Sequence, residues 1–313
     1  MSKRTLVCGS LAYDTIMVFP DRFARHILPD QPHMLSVSFQ IGEMRREWGG
    51  CAGNIAYNLA GIGGAPVVMA ALGRDGGPYR ERFAELRIAT DGVRTVDDTF
   101  TAQAFIITDL DDNQITAFHP GAMNHSHENH VGDVRDIGLG IVAPDGKAGM
   151  QAHVEEFARA GIPFVFDPGQ GLPLFDGPEL LAMIERASYL TVNDYEAKLL
   201  SERTGLSLAA LAERVEALVV TLGAEGSVIH AGGATHTIAP VKAAAVVDPT
   251  GCGDAYRAGL LYGIAHEWDW PRTGRLAAVL GSLKIASRGG QNHAVNRENV
   301  AALYAKAFDE DVF

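Results

Sequence analysis

The most chemically suggestive part of this sequence is an acidic residue at the mouth of a helix, directly behind a glycine-rich turn. In Val247-Asp248-Pro249-Thr250-Gly251-Cys252-Gly253-Asp254-Ala255-Tyr256-Arg257-Ala258-Gly259 a proline ends an extended stretch, two glycines permit conformations closed to other residues, and helical spacing starts at Ala255. The N–H groups of Gly251, Cys252 and Gly253 can then converge on an anion, helped by the helix dipole, and phosphate is the natural guest. Asp254 lies in the first turn beside that anion. Two roles are open to it. It could accept the proton of a substrate hydroxyl while the amides stabilise a phosphoryl group in transfer, or it could simply cap the helix.

Competing signatures are poor. There is no GxxxxGK[ST], and Gly138-Leu139-Gly140-Ile141-Val142-Ala143 satisfies GxGxxA but runs into a strand and Pro144 instead of opening a helix. His119, His125, His127 and His130 are close in sequence, yet no Cys or patterned carboxylate completes a zinc set, so they read as a solvated loop. Arg45 and Arg46 read as surface charge.

A turn of this kind must be positioned by alternating strands and helices. Thr5 to Gly9 reads as a buried strand and Ser36 to Ile41 as an alternating one, and the first 45 residues look β-rich. Ala52 to Leu59 has helical spacing, Gly63-Gly64 stops it, and Val67 to Ala71 is a strand. Ala104 to Thr108 and Gln114 to Phe118 flank a polar turn and form a hairpin that can join the first β-rich insert. Alternation follows: strand 140–143, helix 149–160, strand 164–167, helix 178–187, strand 189–192, helix 194–204 and strand 218–222. A hairpin (227–230, 235–238) and helices over 251–264, 272–287 and 296–308 complete the chain. This grammar is that of a mostly parallel sheet covered by helices, whose ligands sit at the C-terminal ends of the strands.

The 313 residues, 47% hydrophobic and 20% charged, have enough apolar material for a large core. With 26 Lys+Arg against 38 Asp+Glu, the net charge of −12 excludes any general affinity for nucleic acid or anionic lipid. No apolar run reaches membrane-spanning length, and Asp14 follows the stretch Leu6 to Tyr13 too closely for a secretory signal, so a soluble cytoplasmic protein is expected. Three dispersed cysteines suggest neither a disulfide framework nor a zinc site.

Four segments in order resemble the ribokinase-like (PfkB) carbohydrate and nucleoside kinases. Asp248-Pro249-Thr250-Gly251-Cys252-Gly253-Asp254 is similar to the C-terminal signature of that family, and Trp48-Gly49-Gly50-Cys51-Ala52-Gly53-Asn54 to its N-terminal glycine pair. Asn193-Asp194-Tyr195-Glu196 resembles the N-x-x-E motif, and Thr221-Leu222-Gly223-Ala224-Glu225-Gly226 the T-x-G-x-x-G turn. The resemblance implies one kinase domain over 1–313, a three-layer α/β/α sandwich on a mostly parallel sheet, with a small β-sheet lid formed by about 12–47 and 99–122. It implies Asp254 as catalytic base, with Gly251, Cys252 and Gly253 as anion hole. Asn193 and Glu196 would organise Mg²⁺ through water, and Thr221, Gly223 and Gly226 would border ATP. Asp14, Gly50 and Asn54 would bind sugar hydroxyls, and Asp248 and Thr250 are candidates for a monovalent cation such as K⁺.

Within the family, Gly9 to Asp14, Arg22-Phe23, Ile27-Leu28-Pro29, Ser36 to Phe39, Phe118 to Met123 and Asp167-Pro168-Gly169-Gln170 look most like bacterial adenosine-type nucleoside kinases. The implied reaction is ATP-dependent phosphorylation of a nucleoside 5′-hydroxyl, with Gln170 among the substrate-binding residues. Phe118 is the candidate to stack on the base, an ordinary core position being its other reading. Ala102-Gln103-Ala104 lacks the second aromatic that adenosine-type relatives can carry, which leaves room for inosine, guanosine or cytidine. Open lid edges suggest a homodimer through the lid. A ribose or fructose kinase, and a catalytically silent regulator on the same fold, are the rival readings.

Overall fold

The computed structural model describes residues 4–26, 37–111 and 113–313. The chain opens with strands β1 (Arg4–Cys8), β2 (Ala12–Val18) and β3 (Glu43–Gly49), helix α1 (Cys51–Gly61), β4 (Pro66–Gly73), α2 (Gly77–Glu85), β5 (Ala89–Val96), β6 (Ala102–Thr108) and β7 (Gln114–His119). Next come β8 (Ile137–Val142), α3 (Lys147–Ala160), β9 (Phe164–Phe166), α4 (Gly177–Ile184), β10 (Tyr189–Asn193), α5 (Asp194–Thr204), α6 (Leu208–Ala212) and β11 (Ala217–Thr221). A hairpin of β12 (Ser227–Ala231) and β13 (Ala234–Ile238) leads to α7 (Cys252–Ala265), α8 (Trp270–Ile285) and α9 (Arg297–Phe308).

The main sheet has nine strands in the order β13-β12-β11-β10-β9-β8-β1-β4-β5. From β5 to β11 in that order neighbouring strands pair parallel, and only the β11–β12 and β12–β13 pairings are antiparallel. Every residue of β4 is buried, as a strand covered on both faces requires. Alternation along β1 divides the two cores: Val7 packs with Ile55, Leu261 and Leu280, whereas Leu6 and Cys8 pack with Val154, Phe157 and Leu180 on the other face. Three layers result, with α1, α7, α8 and α9 on one face and α3, α4 and α5 on the other.

The lid is a four-stranded sheet in the order β3-β2-β6-β7. The two β-rich inserts meet where β2 pairs parallel with β6, while β3 and β7 flank them antiparallel. The expected strand at 36–41 is a correction: Ser36 lies outside the described residues, and 37–41 form no strand. Its alternating apolar residues serve a different purpose, since the Phe39 ring packs 4.8 Å from Phe19 and 5.1 Å from Phe23 as a loop plug. The quoted Ile27-Leu28-Pro29 also lies outside the described residues. Strand β2, helix α2 and strand β5 went unread. In α2 only Tyr79 and Phe83 are buried, too few to leave a periodic signal.

Candidate active site

The turn before α7 adopts the strained geometry that its glycines permit. Gly251 is the N-cap residue at φ 78°, and a side chain there would press on Gly290 at 3.2 Å. The amides are not equivalent. Cys252 donates its N–H to the Pro249 carbonyl at 3.1 Å, whereas those of Gly251 and Gly253 have no protein acceptor among the described residues. Two of the three expected donors thus remain free for an anion.

Asp254 does not cap the helix, because α7 has no side-chain cap. Instead its Oδ2 accepts a hydrogen bond of 2.8 Å from Asn54 Nδ2 on α1. Burial pushes its carboxyl up to about 6, against the opposing pull of Asn54 and of the Arg257 guanidinium. A pKa in that range suits a group that must be ionised at neutral pH yet still take a proton. Asn54 is itself fixed: Gln291 Nε2 donates to its Oδ1 at 3.2 Å and to Tyr79 Oη at 2.8 Å, and Tyr79 donates to the Gly49 carbonyl at 2.7 Å. The glycine pair permits this close approach, since a Cβ at Gly50 (φ 88°) would fall 2.5 Å from the Ser10 carbonyl.

Arg257, one helical turn beyond Gly253, is a component sequence reasoning missed. It is buried against Asp167, to which it donates at 2.7 Å, and lies 4.0 Å from Glu196. A side chain at Gly253 would collide with the guanidinium. The guanidinium therefore sits against Gly253 with its charge matched by Asp167, and ties α7 to the strand ends at Asp167 and Glu196. The basic residue in an otherwise apolar helix segment was the available signal.

The β10–α5 junction holds Asn193 and Glu196 in a reciprocal capping box: Glu196 N–H donates to Asn193 Oδ1 at 2.7 Å and Asn193 N–H to Glu196 Oε2 at 2.8 Å. Burial, then Asp167, raises the Glu196 carboxyl. Asn193 is the register partner of Thr221 on β11, which places both at the same strand ends. There a cavity of about 560 Å³ is lined by Thr221, Gly223, Gly226, Cys252 and Gly253, with apolar walls from Val241, Ala278 and Ile285. Its floor is the anion turn.

Across the turn the lid contributes a row of register partners, Glu47, Asp14, Ala104 and Phe118, whose side chains share one face. Burial pushes the Asp14 carboxyl up to about 6, reinforced by Glu47 and Asp248. Glu47 accepts from Asn292 Nδ2 at 2.6 Å and so ties this face to the loop after α8. Phe118 is 53% exposed, which excludes the core reading, and the small Ala104 leaves space between it and Asp14. Gln170 is exposed in the turn after β9 and does not line this cavity. Arg46 stacks 3.6 Å over Tyr13 and pairs with Asp75, and Arg45 pairs with Glu47 at 3.3 Å. His125 and His130 pair with Glu128 and Glu156.

Comparison with known proteins agrees with this geometry. A nucleoside kinase of Methanocaldococcus jannaschii is 31% identical over 273 residues, covering 87% of this chain and 90% of its own. The solved Burkholderia thailandensis nucleoside kinase in complex with inosine superposes with a TM-score of 0.89 at 52% identity, covering 98% of this chain and 99% of that one. The same enzyme in complex with ADP-inosine gives 0.87 at 55% identity, over 98% and 97%. The pfkB family carbohydrate kinase profile matches residues 11–297. Since that match takes in the lid, the anion turn and both strand-end motifs, the chain belongs to the pfkB family of carbohydrate kinases and has the ribokinase-like fold.

Proposed function

We propose that this kinase transfers the γ-phosphoryl group of ATP to the 5′-hydroxyl of a ribonucleoside, with adenosine and inosine ahead of guanosine and cytidine. The observation that carries the reading is the lid row: an acceptor carboxylate at Asp14, a gap over Ala104 and an exposed ring at Phe118 match a ribose followed by a flat base. A free sugar has no use for the outer half of that row. The inosine complex of the Burkholderia thailandensis enzyme supports the same class of acceptor.

In the proposed mechanism Asp14 and Asn54 hold the ribose while the lid excludes water. The nucleotide occupies the cavity bordered by Thr221, Gly223 and Gly226. Asp254 accepts the 5′-hydroxyl proton, and the amides of Gly251 and Gly253 stabilise charge on the phosphoryl oxygens. The residues at the β10–α5 junction fit magnesium: Glu196 uses Oε2 for the capping box and leaves Oε1 without a protein donor among the described residues. Bound through water at Asn193 and Glu196, the ion would neutralise charge on the nucleotide phosphates.

The opposite face of the lid carries an apolar register row, Met44, Met17, Ile107 and Ile115, with Met44 70% and Ile115 41% exposed. We assign this face to a homodimer contact between two lids. Among the described residues no helix is long and apolar enough to cross a membrane; the cytoplasm is the proposed location. ATP consumption measured with adenosine, inosine, guanosine, cytidine, ribose and fructose tests the acceptor. Turnover with nucleosides and little with free sugars is expected; the reverse would make this a sugar kinase.

A further inference from the structure

The place expected to hold a monovalent cation is already taken. The carboxylate of Asp248 accepts from the N–H groups of Thr250 at 2.9 Å and Gly289 at 2.8 Å. Its main-chain carbonyl accepts from Lys284 Nζ at 2.8 Å, and the Ser287 carbonyl accepts from the same nitrogen at 3.0 Å. Lys284, at the end of α8, is 0% exposed. An alkali ion would need those carbonyl oxygens for itself, so Asp248 and Thr250 do not fit a free K⁺ while Lys284 is present.

We propose that Lys284 acts as a built-in monovalent cation, a tethered ammonium that positions the anion turn, so that phosphoryl transfer needs no added potassium. The inference rests on the kinase reading above. The two carbonyls that Lys284 clasps belong to the two loops that build the reaction centre. The loop of Asp248 runs into Gly251, and the lysine stem passes 3.7 Å from where a Gly251 Cβ would stand. The loop of Ser287 runs into Gly290, which packs against Asn54, and Gln291, which donates to it. The Ile285 carbonyl, accepting from Val247 and Asp248, closes the same clasp. Removing the ammonium would leave two part-buried carbonyls without their shared donor, and the loops would separate. Neighbouring groups register the charge: with burial, Lys284 pushes His293 down to about 4. Lys284 is thus a positioning residue, acting on the transferring group through Gly251 and on the base through Asn54.

The test begins with the wild-type protein in potassium-free and potassium-containing buffers of matched ionic strength. Turnover and affinity for a non-hydrolysable ATP analogue should each agree within about twofold. A stimulation of about tenfold or more would overturn the proposal, and the affinity arm stands even if the acceptor is misassigned. Lys284→Ala should lower kcat by about fiftyfold or more with a smaller change in the KM for nucleoside. Ammonium or potassium, but not the bulkier choline, should restore at least about fivefold of it. A folded variant that keeps wild-type kcat, or that neither ion rescues, contradicts the assignment. If Lys284→Ala does not fold, the wild-type potassium comparison decides alone. A wild type silent toward every nucleoside would count against the acceptor reading, whereas a potassium-responsive one counts against this proposal.

Discussion

Asn54 Nδ2 donates to Asp254 Oδ2 across 2.8 Å, joining α1 to α7 by one hydrogen bond between residues 200 positions apart in the chain. The amide can present the carboxylate only because its Oδ1 is held by Gln291. The proposed base is therefore aimed from outside its own helix. Asp254→Asn keeps the size of the side chain and removes its basicity, so turnover should fall by at least about a hundredfold while ATP binding, read by calorimetry, stays near wild type.

The pH dependence follows from two carboxyls. Asp14 and Asp254 both titrate near 6 in the folded protein. Each must be ionised to accept a proton or a hydroxyl hydrogen bond, so kcat/KM should rise with pH through about 6 and level off above it. Two groups give a limiting slope approaching two on a logarithmic plot. Asp14→Asn should reduce that slope to one. Asn54→Ala removes a hydrogen bond that holds the Asp254 pKa down, and so should move the remaining limb to higher pH.

Phe118 offers a ring on the face shared with Asp14. Phe118→Ala should raise the KM for nucleoside about tenfold, in line with the loss of one stacking contact, and leave the KM for ATP unchanged. Steady-state kinetics with each substrate varied in turn decides this. Equal effects on both substrates would remove the base-stacking role.

Asp145 lies outside the site, is 4% exposed, and has its pKa pushed up to about 7 by burial. Its folded-state value stands above the unfolded one, so the folded protein keeps the proton and loses stability as pH rises from about 4 to 7. The penalty is absent below that window and complete above it. Asp145→Asn retains an acceptor for the Gly146 N–H, now 2.8 Å from Oδ1. The substitution should raise Tm at pH 8, by a gain on the order of 1–4 kcal/mol, and change it little at pH 4. Thermal melts at the two pH values measure the difference.

The apolar lid row predicts oligomeric state. Wild-type protein, 33.4 kDa per chain, should behave as a dimer in light scattering. The double variant Met44→Glu, Ile115→Glu should be a monomer, since charge on that face opposes its burial.

Much of the candidate site was legible because its residues are contiguous. The turn from Asp248 to Asp254 and the box from Asn193 to Glu196 each carry their geometry in a few positions, and both lie where a strand meets a helix. What eluded sequence reasoning depends on contacts across the fold. Arg257 and Lys284 look like ordinary helical charges until α7 packs on α8 and closes solvent from both. Gln291 and Tyr79 acquire a role only through Asn54. The strand expected at 36–41 failed for a related reason: alternation signals one buried side, and an aromatic plug satisfies it as well as a sheet does.

Strand β3 passes into α1 through Gly50 alone, whereas β6 and β7 form a hairpin that bears no catalytic group. In the proposed mechanism contact with the base falls to this hairpin, while the proposed proton acceptor and anion turn belong to the α/β body. On that reading, substitutions at Ala104 and Phe118 would retune which base is accommodated without disturbing how the phosphate moves, and a single scaffold would serve many alcohols by redrawing one ribbon.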